Sequence, residues 1–442
     1  MIRTAIKLSR SATTLSRSIR LPGASSHGHF LLSAASPPSR LLHDGTNVNG
    51  PNSNPVVFQM INYALSHARS QKSDESYAQG LLVLEQCFST QPREGQCAQN
   101  WRGTALLAMS TLLYERGNLM EAIDKLQKVE NLKQSSLGVR VAAVEALVGL
   151  HLQLGQDDTS SVVADKCLEV LGKCKPESDG GDYAAVRSRA KAVKGLVELV
   201  CGNVESGTAE ALLNLSSEDF RRMWVILVSA ALSYGEYLHV TRNFPLAKEF
   251  YQNVIDVLSE KKDFSDTNAL GSCNMALEEV SLAATFGLGQ LEGHMGNFGD
   301  AEEILTRALT KTEELFGSHH PKVGVVLTCL ALMFRNKAIQ ERSSSLLVQE
   351  GLYRRAIELL KAPPLDSEGS ERKVDGRDIM ALARGGYAEA LCVQQNRKDE
   401  GERTKRWAEA TWRNCRMSLA EALNSEPSNK VMVIDARTSR AL

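Results

Sequence analysis

A few short stretches hold residue types that could do chemistry. Gly287-Leu288-Gly289-Gln290-Leu291-Glu292-Gly293 has the glycine density of a phosphate cradle. Its spacing is not GxGxxG, and it lies inside helical periodicity rather than after a strand, so it reads as helix-packing glycine. His319-His320 before Pro321 could offer imidazole to a metal, but no Cys, Asp or second His stands at helical spacing from it; a loop-capping role is expected instead. Asn214-Leu215-Ser216 has the form of a glycosylation acceptor, which matters only in a secreted chain. GxxxxGK[ST], HExxH and GxSxG are absent. The nine cysteines are scattered without a CxxC pair, as suits reduced thiols packed in helices. No catalytic residue, metal or cofactor is expected, and the chain does not read as an enzyme.

The elements around these residues are helical. From Pro55 to about Met417 apolar residues recur at spacings of three and four, with no convincing alternating strand. The breaks Gln91–Gly95, Lys175–Asp182 and Lys361–Gly376 carry helix-stopping Pro, Gly or Ser/Asp. Aligning the breaks brings out a unit: a small residue, a turn residue seven positions on, and an Ala or Gly five further. Gly289, Gly296 and Ala301 give it best; Gly195, Gly202 and Gly207, then Gly235, Arg242 and Ala247, repeat it. Ser110, Gly117 and Ala122 form a looser copy, and Val148 and Gly155 another, its small residue displaced to Ser160 or Ala164. Small residues let antiparallel helices cross closely. Gly117-Asn118, Gly202-Asn203, Arg242-Asn243 and Gly296-Asn297 suit turns with positive φ.

This pattern resembles the tetratricopeptide repeat family, a helix–turn–helix of about 34 residues. The best copy runs from Gly287-Leu288-Gly289 through Gly296-Asn297-Phe298-Gly299-Asp300-Ala301 to Leu305 and Ala308. Its extension through Leu315-Phe316-Gly317 to His319-His320-Pro321 is similar to the longer repeats of kinesin light chains. The resemblance implies an all-α, irregular solenoid of antiparallel hairpins over residues 55–417, roughly seven or eight of them. It departs from the family where Thr285 replaces the usual aromatic, where closing prolines are missing, and at two wide spacings. One spacing is assigned to an insertion, Asn336–Glu350, within a hairpin, the other to a helix extension and loop around Glu260–Ser272. Asp399–Met417, with Trp407 and Trp412, is the expected capping helix.

The family's geometry also implies a concave groove lined by the first helix of each hairpin. Carried over by position, it selects Leu107, Tyr114, Arg189, Leu196, Glu236, His239, Phe286, Gln290, His294, Thr328, Leu332 and Arg335. This mixed face would suit a protein partner presenting an amphipathic helix or an extended peptide. The Lys and Asn that chaperone-binding members use to clamp a carboxylate are replaced by Ala192 and Leu196, Leu232 and Glu236, and Phe286 and Gln290. Carboxylate capture is therefore not expected.

Charge says where such a scaffold would work. The chain has 51 Lys+Arg and 52 Asp+Glu, yet residues 1–43 hold six basic residues and no acid. Arg3, Lys7, Arg10 and Arg17 share one helical face, and Leu8, Ala12, Leu15 and Ile19 another, as in a cleaved mitochondrial presequence, with matrix as the expected destination and chloroplast as the alternative. Residues 44–54 read as a linker. The remaining body is acidic and has no general reason to condense on nucleic acid. An alternative function, organellar RNA association, draws on Arg372–Arg416, with eleven basic and seven acidic residues and two tryptophans. The longest apolar run, Val323–Phe334, is short of the roughly 20 residues of a membrane span. The tail 418–442 is polar apart from Val431–Ile434; it reads as partly disordered, or as docking that short run on a groove.

Overall fold

Five of the turns between paired helices close in one way. Gly117, Gly155, Gly202, Arg242 and Gly296 take φ between 66° and 84°. The next residue's N–H then returns to a carbonyl five positions back, as in Asn118 to Leu113, Gln156 to His151, Asn243 to Leu238 and Asn297 to Glu292, at 2.8–2.9 Å. This satisfies helix-end carbonyls that would otherwise be orphaned. Arg242 takes the left-handed conformation without glycine's freedom, at about 1–2 kcal/mol.

The computed structural model describes residues 55–89, 95–173, 180–204, 208–213, 217–260, 270–343, 345–365, 377–424 and 430–442. The expected presequence and linker, Gly207, Asn214–Ser216 and most of the loop after Glu260 lie outside them. Eight hairpins follow in order among the described residues: α1 (Pro55–Gln71) with α2 (Asp74–Ser89), α3 (Gln96–Glu115) with α4 (Leu119–Glu130), α5 (Leu137–Gln153) with α6 (Asp157–Lys173), α7 (Gly180–Val200) with α8 (Thr208–Leu213), α9 (Ser217–Val240) with α10 (Phe244–Glu260), α11 (Leu277–His294) with α12 (Phe298–Phe316), α13 (Pro321–Glu341) with α14 (Leu346–Leu359), and α15 (Arg377–Cys392) with α16 (Lys398–Thr411). The architecture is thus the all-α array of helical hairpins expected from the repeat.

First and second helices differ in burial. The second helix α12 hides one stripe, Phe298, Ala301, Leu305, Ala308, Leu309 and Thr312, as an outer-layer helix should. The first helices α3, α5, α11 and α13 are buried along most of their length and all round. They pack on their own partners, on neighbouring hairpins and on the chain's own interior segments. By length and composition α13 could cross a bilayer, although no such span was expected; 61% of that stretch is buried inside the protein.

The close approaches differ in detail from the sequence expectation. Gly80 and Gly293 do approach Ala68 and Ala301, but Gly289 and Gly235 receive large side chains. A Cβ on Gly289 would stand 2.8 Å from Leu305, and one on Gly235 would stand 3.2 Å from Tyr251. Successive hairpins use the same device, since a Cβ on Gly287 would meet the Tyr251 ring at 2.9 Å and one on Gly386 would overlap that of Tyr353. Glycine makes the hole and the neighbouring side chain fills it.

Two boundaries are corrected, and the tail follows the second of its two expected courses. The supposed insertion Asn336–Glu350 is mostly helix: α13 continues to Glu341, turns at Arg342 (φ 49°), and α14 resumes at Leu346. The capping helix α16 ends at Thr411, and the Trp412 indole N–H donates to the Met417 carbonyl at 2.7 Å in the return that follows. The tail is ordered where it is described. A short helix α17 (Leu419–Leu423) starts on a capping box of Ser418 and Glu421. Residues 430–442 then run through the interior, with β1 (Ile434–Asp435) antiparallel to β2 (Arg440–Ala441).

Candidate functional site

The inward faces of the first helices converge on one groove, and two segments of the chain fill it. The first is the stretch from Leu270 into α11, with a 3₁₀ turn at Cys273–Met275. The Ser272 hydroxyl donates to the Leu107 carbonyl at 2.8 Å, and Arg189 donates to the Leu270 carbonyl at 2.7 Å while pairing with buried Glu145. Gly149 on α5 has no side chain where the Asn274 amide sits.

The second occupant, residues 430–442, is bound more elaborately. The Gln290 side chain accepts from the Ile434 N–H at 2.8 Å and donates to its carbonyl at 2.9 Å. Lys322 on α13 pairs with Glu279 at 2.6 Å and donates to the Ala436 carbonyl at 3.2 Å. Asn274 donates to the Arg437 carbonyl at 3.2 Å. Asn414 and Arg416 donate to the Ala441 and Leu442 carbonyls at 2.7 and 2.8 Å.

Two arginines of this segment enter acidic sockets. Arg437, 0% exposed, pairs with Glu236 and with Asp435 (3.1 Å) and reaches the Ser233 hydroxyl at 3.2 Å. Arg440 pairs with Asp157 at 2.7 Å and Asp378 at 3.1 Å, and donates to the Leu152 carbonyl at 3.0 Å. Burial pushes the Glu236 carboxyl well above its ordinary range, and nearby Asp435 adds to the effect. The Asp435 carboxyl is driven down despite burial, by Arg437, the Thr438 hydroxyl and the Arg437 N–H. The two carboxyls around the arginine are thus shifted in opposite directions.

The residues selected from sequence divide by what they touch. Glu236 and Gln290 hold residues 430–442, and Arg335 donates to the Leu423 carbonyl while pairing with Glu389 at 2.6 Å. Leu107 and Arg189 hold the first occupant. Tyr114 donates to Glu279 at 3.0 Å, behind Lys322. The Nδ1 of His239 meets the Tyr251 hydroxyl at 3.2 Å, and its Nε2 meets His294 at 2.8 Å. His294, Gln290 and Leu332 line a cavity of about 330 Å³ bounded also by Arg242, Cys329 and Lys430. Burial and the Arg242 charge hold His294 down at about 4. Leu196 and Phe286 are core packing, and Thr328 bonds back to the Gly324 carbonyl at 2.8 Å. The inner face expected from the repeat is occupied by the chain itself, including the Val431–Ile434 run for which docking was one of the two expectations.

Sequence reading missed Asp157, Asp378, Glu279, Lys322 and Asn274. Three of these, Asp157, Asp378 and Glu279, are first-turn acids, ordinary at any helix start; nothing in their spacing marks them as sockets. Of the two turn histidines, one takes the expected capping role. His320 caps α13 by accepting from the Lys322 N–H at 3.2 Å and stacks on Phe316. The tryptophans considered for base stacking are engaged in packing. Arg384 covers the Trp407 ring at 3.8 Å, and Trp412 is buried.

No family model matches the chain, and no curated protein matches it. Among solved structures it is similar to the crystal structure of BtubC (BKLC) from P. vanneervenii, at 12% identity and a TM-score of 0.31, over 67% of this chain and 91% of that one. The fold assignment rests on the hairpins described above.

Proposed function

We propose that the protein is a non-catalytic scaffold or assembly factor in mitochondria whose groove holds an extended segment of a partner protein. The observation that carries this reading is the set of side-chain hooks, Gln290 and Lys322 on the inner face and Asn274 on the segment beside it, that grip a main chain. Extended-peptide recognition works this way, with main-chain bonds giving affinity and side-chain sockets giving specificity. The basic, acid-free first 43 residues support the organelle address.

Proximity labelling in isolated mitochondria followed by crosslinking mass spectrometry tests both parts. A defined partner crosslinked to the inner faces of α9, α11 and α13 is the expected result. Crosslinks confined to the outer helices α10, α12 and α14, or no reproducible partner, would refute the groove. The organelle assignment predicts a mature protein shortened by about 40 residues; an intact Met1 in tissue-derived protein would refute it.

A further inference from the structure

Residues 430–442 occupy the groove in the manner of a ligand. Within them two short strand segments pair, and Asp435 accepts from the Arg437 N–H and the Thr438 hydroxyl. Most of the other backbone contacts described for them go to side chains of the scaffold, and the two arginines, three residues apart, enter separate acidic sockets. The close contacts that define the hairpins, Gly235 with Tyr251 and Gly289 with Leu305, are made between helices and do not involve this segment.

Apolar burial of Val433, Ile434, Ala441 and Leu442 anchors the segment, and its charged contacts add specificity. Seating Arg437 takes a guanidinium and its carboxylates out of water, and such burial offsets most of the attraction it gains. The fit also leaves polar atoms unmatched. The Arg437 Nη1 and the Asn274 Oδ1, at the centre of the contact, have no hydrogen-bond partner among the described residues, which costs the docked state. A segment held by well-placed but expensively desolvated charges is selective.

We propose that residues 430–442 are the resident occupant of a groove that also accepts an external segment of the same chemistry. That segment is extended and carries two arginines three residues apart, with an aspartate two residues before the first. The proposal rests on the reading of the groove as a partner site and adds its specificity and its regulation. The partner must displace the resident, so its apparent affinity is reduced by the fraction of molecules whose groove is filled.

The test uses the full chain and a labelled synthetic peptide with the sequence of residues 430–442. In the Arg437→Ala/Arg440→Ala double variant the resident is weakened while the sockets at Glu236, Asp157 and Asp378 remain. Fluorescence anisotropy should show the peptide binding this variant at least about tenfold more tightly than the parent. A peptide with both arginines replaced by alanine should not bind. Equal binding to variant and parent would overturn the proposal, as would loss of the variant's helical circular dichroism, because the segment would then be core.

Hydrogen exchange of the unaltered chain gives an independent reading. Amides of residues 430–442 should exchange faster than those of α9 and α11; exchange of all of them only with global unfolding would overturn the proposal. If the segment opens only globally while a partner still crosslinks to the groove, this proposal fails and the partner reading stands. If the peptide exchanges but no partner reaches the groove, the partner reading fails instead.

Discussion

Glycine-to-alanine substitution at two helix-interior positions should have opposite effects on stability. Gly351 in α14 has open space where a Cβ would go. Alanine there removes glycine's helix penalty and should stabilise by about 0.8–1.0 kcal/mol. Gly386 in α15 faces the tip of the Tyr353 ring, and its Cβ would overlap Cε1, Cζ and Oη. Tyr353 is fully buried and its ring is rigid, so α15 itself must move. Overpacking of this kind costs about 1–3 kcal/mol, with the upper part of the range apt for three overlapping atoms. Set against the propensity gain, Gly386→Ala should lose about 1–2 kcal/mol. In a Tyr353→Leu background the overlapping atoms are gone, and the same substitution should gain what Gly351→Ala gains. The interaction energy in that double-mutant cycle is then about 2–3 kcal/mol. Urea unfolding followed by circular dichroism, with unchanged m-values, measures all four proteins. If Gly386→Ala stabilises the parent as Gly351→Ala does, the close-approach account of these glycines is wrong.

Two further outcomes follow from the buried charges. Arg189→Met should destabilise by about 3–5 kcal/mol, because Glu145 is left buried without its cation, and adding Glu145→Met should recover most of the loss; a single-variant loss below about 1 kcal/mol in urea unfolding would show that the pair is not desolvated. His294 is held at about 4 against an ordinary 6.5, so the unfolded chain takes up its proton first as pH falls. The stability this histidine contributes is full above 6.5, is lost between 6.5 and about 4, and changes no further below that. His294→Asn should therefore flatten the dependence of the urea midpoint on pH across that window, and an unchanged slope would refute the assignment.

What could be read without coordinates was whatever repeats. The turn residues at Gly117, Gly155, Gly202, Arg242 and Gly296 share one local requirement, positive φ at a helix end, and local requirements leave a residue type at a fixed position. The 3.6-residue periodicity and the recurring small residues likewise gave helices, pairing and an inner face, because each hairpin packs chiefly on its sequence neighbours. Even there the partner of a glycine was misjudged. A single sequence records that space was needed at Gly289 but not that Leu305 would fill it.

The occupied groove was another matter. Arg437 meets Glu236 about 200 residues away, and Arg440 meets Asp157 across a still longer separation. Neither pairing has a period, and an arginine in a polar tail has the same composition whether it is solvated or buried. Gln290 was selected for its place on the inner face, yet only the fold showed that its amide clamps the Ile434 backbone. The sequence by itself determined the helical array and the face that points inward, through rules acting over one or two helical turns. The tertiary structure alone decided that this face is filled by the chain's own C-terminal segment, because long-range charge pairing and desolvation depend on where distant residues meet.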